Sequence, residues 1–127
     1  MNTDYFSTAK FNFAWEIPLK VCFFNTNYEI VVSADAYFST DKVTEAQNAA
    51  YRSFLEQQKE IAGEVEKLLL KEAGSENAAI ERFIPKALKI KRDGNCGFVF
   101  DDKNDFESGL VISIAPKFQA MSTDEYF

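Results

Sequence analysis

Between residues 11 and 38 the chain alternates apolar and polar side chains with a period of two, interrupted by one short polar turn. Phe11, Phe13, Trp15, Ile17, Leu19, Val21 and Phe23 interleave with Asn12, Ala14, Glu16, Pro18, Lys20 and Cys22. Beyond "NTN" the apolar set moves to even numbers, as Tyr28, Ile30, Val32, Ala34, Ala36 and Phe38. A period of two sends successive side chains to opposite faces of an extended backbone, so this stretch predicts two strands with one buried face. Odd residues lie opposite even ones only across an even-length loop. A loop of two, Asn25-Thr26, or of four, Phe24 to Asn27, meets that condition. It pairs Phe23 with Tyr28, Val21 with Ile30, Leu19 with Val32, Ile17 with Ala34 and Trp15 with Ala36. Large residues then face small ones beside Trp15, as a core position beneath a helix requires. Pro18 points away from the core and has no N–H for a ladder, which predicts an edge strand or a bulge there.

"STDKVTEAQNAAYRSFLEQQKEIAGEVEKLLLKEAG" then changes the period to that of a helix. Val43, Ala46, Ala50, Phe54, Ile61, Val65 and Leu68 form an apolar stripe, widened by Tyr51, Leu55, Ala62 and Leu69. Ser39, Thr40 or Asp41 offers an N-cap, Glu45 suits the first turn, Lys71 the last, and Gly74 the C-cap. The reading is one long amphipathic helix, about 50 Å at 1.5 Å per residue, with Gly63 as its weak point.

"SENAAIERFIP" fits a short helix or the approach to a strand. From Ala87 the period of two returns: Leu88 and Ile90, a turn at "RDGN", then Cys96, Phe98 and Phe100. A three-residue loop, Arg92 to Gly94 with Gly94 left-handed, sets Ile90 opposite Cys96 and Leu88 opposite Phe98. Leu110, Ile112 and Ile114 make a further strand that stops at Pro116, and the tail offers a short edge strand through Phe118 and Ala120. The expected fold is an α+β single domain spanning residues 1–127. It has an antiparallel sheet of about five strands in ββαβββ order with one long helix packed on one face. At 127 residues, 46% of them hydrophobic, such a domain buries a core without staples.

The formal net charge of −6 argues against nucleic acid, whose phosphates need cations, and against anionic membranes. No apolar run approaches the roughly 20 residues that span a bilayer. "MNTDYFSTAKF" lacks the basic and apolar regions of a signal peptide, so a cytoplasmic location is expected. The two cysteines, Cys22 and Cys96, read as reduced core residues. The chain has no histidine, which removes His-dependent nucleophiles, the usual zinc sites and the commonest general base. No CxxC or phosphate-binding loop is present. The sequence therefore predicts a non-enzymatic protein with no cofactor and no metal.

The densest cluster of acids lies in "FVFDDKNDFESGLV", residues 98–111. As a calcium loop it fails: counted from Asp101, Lys103 falls at position 3 and Phe106 at position 6; counted from Asp93, Phe98 falls at position 6. Asp, Asn, Ser and Gly suit a turn between two strands. Asp101, Asp102, Asp105 and Glu107 are nevertheless the residues expected to touch a partner, and their sign calls for a basic protein. A pocket between helix and sheet for a small molecule or metal, and a carboxylate-dependent enzyme, are the alternatives. Lys86, Lys89, Lys91 and Arg92 form the one cationic cluster, read as a solvated strand face that offsets the acidic loop. Phe24, Val31, Tyr37 and Val99 fall on the outward parity. They imply either a partner or homodimer surface, or cover by the aromatic N-terminal "DYFSTAKF" or C-terminal "DEYF".

The run "LKIKRDGNCGFVFDDKNDFESGLVISIAPKFQAMSTDEYF" resembles small bacterial proteins that carry an uncharacterised domain. The resemblance covers the last third of the chain, and it carries over no catalytic residue. Other small acidic α+β proteins neutralise secreted bacterial toxins, and by that class-level analogy the chain is expected to be immunity-like.

Overall fold

The alternating segment forms a hairpin of β2 (Ala14–Phe23) and β3 (Thr26–Asp35), preceded by the two-residue β1 (Lys10–Phe11), in a computed structural model that describes residues 5–107 and 109–126. Odd residues meet even ones as the pattern requires, but each partner differs by two from expectation. Phe23 pairs with Thr26, Val21 with Tyr28, Leu19 with Ile30, Ile17 with Val32 and Trp15 with Ala34. The turn is Phe24-Asn25, with φ of 53° and 60°. Positive φ at both central positions follows the natural twist of a hairpin. Thr26 is β-branched and resists that conformation, so the turn settles one residue earlier. The amide of Phe24 donates to the Glu66 carboxylate at 2.8 Å, and its ring rests against the core.

β1 reaches only Trp15 and Glu16, so from Ile17 onward β2 is the sheet edge among the described residues. Pro18 sits on that edge, as expected, and its missing N–H discourages another strand from adding there. Phe13 does not continue the strand. It lies in the β1–β2 turn with φ 63° and points into solvent.

Two helices replace the single one, α1 (Glu45–Glu56) and α2 (Gln58–Ala73), and a short one follows, α3 (Glu76–Arg82). The break falls at Gln57 (φ −124°, ψ 25°), while Gly63 lies inside α2. Residues 56–60 are all polar, so no side chain fixes the backbone there, whereas Phe54 and Ile61 on either side are buried. Their spacing of seven keeps the apolar period intact across the break. The N-cap is Thr44 rather than Ser39, Thr40 or Asp41: its hydroxyl accepts from the Gln47 amide at 3.0 Å and the Gln47 side chain returns the bond at 2.9 Å. Lys71 and Gly74 (φ 90°) close α2 as expected. α3 runs directly into β4 (Phe83–Ile90), so "SENAAIERFIP" is both helix and strand.

Among the described residues the sheet has seven strands, in sequence order β1 to β7, and is mixed rather than antiparallel. β5 (Cys96–Asp102), β6 (Leu110–Ala115) and β7 (Gln119–Met121) pair antiparallel in turn, but β3 and β4 are parallel. A parallel pair needs a crossover, and the helices supply it by carrying the chain back across the sheet. The fold stays in the α+β class; the five antiparallel strands and single long helix are corrected. Ile90 does face Cys96, Leu88 faces Phe98, and Gly94 takes φ 93°.

The core lies between the helices and one parity of the strands, around the rings of Phe23, Phe54, Phe98 and Phe100; Phe98 lies 5.3 Å from Phe23 and 5.6 Å from Phe54. Cys96 is buried there, and burial pushes its thiol up to about 12. Cys22, by contrast, is exposed on the edge strand, so only one of the two cysteines is a core residue. Trp15 is half-buried and donates to the Asp41 carbonyl at 2.6 Å. On the outer face, register aligns Pro18, Val31, Ala87, Val99, Val111 and Met121 in one cross-strand row. α4 (Thr123–Tyr126) folds back against β6, with Tyr126 and Val111 buried. Tyr5 and Phe6 instead pack on Tyr51, on the helical side. Among the described residues of the two tails, only those of the C-terminal one meet a strand on the outer face.

Gln47, fully buried, joins these parts. Its amide group donates to the carbonyls of Asp35 (3.0 Å) and Ile90 (3.1 Å), which end the two parallel strands. Replacing Gln47 with Leu keeps the volume but strands those acceptors, and should cost about 2–4 kcal/mol in urea unfolding. A loss below about 1 kcal/mol would show that the bridge is dispensable.

Candidate functional site

Side-chain parity decides what each acid of the β5–β6 connection does. Asp102 continues the buried set of Phe98 and Phe100, which turns its carboxylate toward the helical layer. There Arg82, the last residue of α3, takes it with two bonds, Nε to Oδ1 at 2.8 Å and Nη2 to Oδ2 at 3.0 Å. The guanidinium also lies 4.7 Å from the centre of the Phe83 ring. Asp102 further accepts the Asn104 amide at 2.9 Å, while the Lys103 amide donates to the Arg82 carbonyl at 2.9 Å. The bond from Arg82 holds Asp102 below the usual carboxylate range, against burial, which pushes it up; the Asn104 amide adds to the lowering. The loop is thus folded onto its one buried acid. It closes at Gly109 (φ 65°), where a Cβ would lie 3.1 Å from the Phe100 carbonyl oxygen.

Asp101 has the opposite parity and faces outward, 3.5 Å from the Lys86 ammonium. Asp105 and Glu107 are exposed, and between them stands Phe106, 80% exposed. Of the four acids expected to meet a partner, Asp105 and Glu107 stand exposed in the loop, Asp101 lies at the end of β5, and Asp102 is the loop's anchor. Among the described residues no group of three or more potential ligands gathers in a way that could hold a metal ion. One crevice between helices and sheet, bounded by Val21, Phe23, Phe54 and Phe98, is ≈ 120 Å³, and another, bordered by Ala50, Phe54, Ile61, Cys96, Ile114 and Phe118, is ≈ 430 Å³. Small-molecule pockets usually run from about 300 to 1,000 Å³.

The cationic cluster lies elsewhere. Register places Phe83 opposite Asp102 at one end of β4 and Ile90 opposite Cys96 at the other. Lys89, Lys91 and Arg92 belong to the second end. Lys89 pairs with Asp35 at 2.6 Å. Lys91 donates to the Tyr126 carbonyl at 2.5 Å and covers its ring at 4.1 Å; Arg92 donates to the carbonyls of Asp35 (3.1 Å) and Lys42 (3.3 Å). Only Lys86 offsets the acidic loop, so the expectation that the cluster as a whole does so is corrected. At the same end stand Phe13, Tyr37 and Phe38, the first two bordering one depression with the cations. Sequence reasoning placed Phe13 on the buried parity, because a period of two carries no sign of a positive φ. The outward parity of Tyr37 was legible.

A family model for a domain of unknown function (DUF6985) matches residues 5–92. That is more than half of the chain, and the chain belongs to this family. The match takes in the hairpin, the three helices and β4, whereas the resemblance had been drawn from the C-terminal third, most of which lies beyond it. No curated protein and no solved structure matches the chain. No helix among the described residues is long and apolar enough to cross a membrane.

Replacing Asp102 with Asn should remove about 2–3 kcal/mol of stability at pH 7. That is less than the ~3–5 kcal/mol for breaking a fully buried pair, because Arg82 retains some access to water. Because folding lowers the pKa of Asp102, its contribution is present above the ordinary carboxylate value and disappears as pH falls through the folded one. The gap between wild type and variant, followed by urea unfolding, should hold from pH 7 to about 5 and close below about 4. A gap that persists unchanged to low pH would assign the loss to packing.

Proposed function

We propose that this member of the DUF6985 family is a non-enzymatic, cytoplasmic binding module whose β5–β6 loop engages a basic protein, in a role akin to that of bacterial proteins that neutralise secreted toxins. The observation that carries this reading is Phe106, 80% exposed on an acidic loop that the Arg82–Asp102 pair holds in place. An exposed ring at the centre of a contact supplies the apolar part of a binding hot spot. Asp101, Asp105 and Glu107 supply a negative rim, which speeds encounter with a cationic partner and penalises acidic ones. The net charge of −6 acts in the same direction at longer range. The non-enzymatic part of the reading is supported by a chain without histidine, the commonest general base.

The partner to test is the product of a neighbouring gene encoding a secreted basic toxin. In calorimetric titration at low salt it should bind with an association rate that falls steeply as salt is added. Reversal of Asp101, Asp105 and Glu107 to Lys should weaken binding by roughly 100-fold, and Phe106→Ala by roughly ten-fold, with unfolding midpoints unchanged. Absence of binding, or affinity indifferent to the reversal, would exclude the acidic loop as the contact surface.

A further inference from the structure

We propose that the opposite end of the sheet is a second binding surface, which takes a short segment of a protein partner carrying one or two carboxylates beside an apolar side chain. The surface is an open depression of ≈ 470 Å³ bordered by Phe13, Tyr37, Lys89, Lys91 and Arg92, together with the acids Asp35 and Asp93.

Its aromatic side is ordered before any partner arrives. Phe13 is 91% exposed and Tyr37 82% exposed. The amides of Tyr37 and Phe38 both donate to Asp41 Oδ2 at 3.0 Å, and the Asp41 carbonyl receives the Trp15 indole N–H. A loop fixed in this way presents its rings without the entropy loss of ordering them on binding. Phe13 also holds a backbone conformation that L-residues avoid, with φ 63°. Phe24 shares that conformation, but there the amide bond to Glu66 and contact with the core account for it. Phe13 is nearly all in solvent, and a strained residue that presents an apolar ring to water points to a binding role.

Its cationic side has three cations against the two acids that border it, a small positive excess among the described residues. Lys89 has the Asp35 carboxylate, whereas Lys91 and Arg92 are held by neutral carbonyl oxygens and form no ion pair among the described residues. The bonds that position Arg92 use Nη1 alone, which leaves its other edge for a carboxylate. A polyphosphate chain would meet the repulsion of the whole −6 protein, but a segment with one or two carboxylates meets little of it.

The test is fluorescence anisotropy with a labelled octapeptide that carries two glutamates between phenylalanines, alongside its glutamine analogue. The glutamate peptide should bind saturably and the glutamine analogue roughly ten-fold more weakly, since charge-assisted hydrogen bonds are lost. Phe13→Asn separates binding from folding, because asparagine accepts positive φ readily. This variant should raise Tm by about 2–4 °C yet weaken the glutamate peptide roughly ten-fold. Tyr37→Ser should weaken it comparably with Tm unchanged. Equal affinity for the two peptides would overturn the proposal, as would binding untouched by either substitution, a lowered Tm for Phe13→Asn, or displacement by a second copy of the chain in sedimentation runs. The acidic loop is distinguished by the Lys reversal of Asp101, Asp105 and Glu107, which should leave peptide binding intact; loss of binding there would overturn this second surface.

Discussion

The parallel contact between β3 and β4 is the least predictable part of the fold, and one buried side chain secures it. Gln47 spends both amide hydrogens on the carbonyls of Asp35 and Ile90 and uses its oxygen to cap its own helix. Thr44 adds a hydroxyl bond to the Arg92 carbonyl at 2.8 Å, and Arg92 returns to the Asp35 carbonyl. The ends of two strands, the start of α1 and the β4–β5 turn are thereby tied through groups that have no other way to satisfy their polarity once buried. A parallel pair has no short turn to fix its register. Here the register is fixed by helix α1, whose first turn measures the position of both strands at once.

Parity was legible within the strands but not at Phe13, Phe24 and Phe38, where the chain leaves them, and register was only partly so. Alternation told which residues share a face, and it assigned Phe23, Ile30, Val32, Leu88, Phe98 and Phe100 to the core, where they lie. It misplaced the hairpin turn, at Asn25-Thr26 or Phe24 to Asn27 rather than Phe24-Asn25; Thr26, which resists positive φ, was the sequence signal against Asn25-Thr26. The β3–β4 direction was not legible, because residues 36–82 are long enough to return the chain to either end of the sheet. The break at Gln57 was not legible either, since a missing anchor within a continuous apolar period leaves no mark. Asp102 was legible in hindsight from its own parity: a carboxylate that follows Phe98 and Phe100 onto the buried face needs a cation, and Arg82 is placed where a short helix ends.

Acids of similar appearance in the sequence thus separate into two roles by a single physical criterion. Burial without a partner is costly for a charge, so the acid that turns inward is paired and becomes part of the frame. The acids that turn outward lose little by exposure, and their charge is worth most to an approaching molecule. Asp35 shows the same division at the other end of the sheet: its carboxylate neutralises Lys89, while its carbonyl anchors Gln47 and Arg92. Framework and presentation meet there in one residue.

The same criterion separates the strained positions. Three non-glycine residues, Phe13, Phe24 and Asn25, hold positive φ among the described residues. At Phe24 and Asn25 the hairpin needs that geometry, and Glu66 and the core repay it locally. At Phe13 a two-residue β1 folds back on β2, and a smaller residue with less steric objection would make the same turn at lower cost. An apolar ring kept there, in one depression with Lys91 and Arg92, is out of step with local preferences for stability. Departures of that kind cluster where a surface is shaped for another molecule.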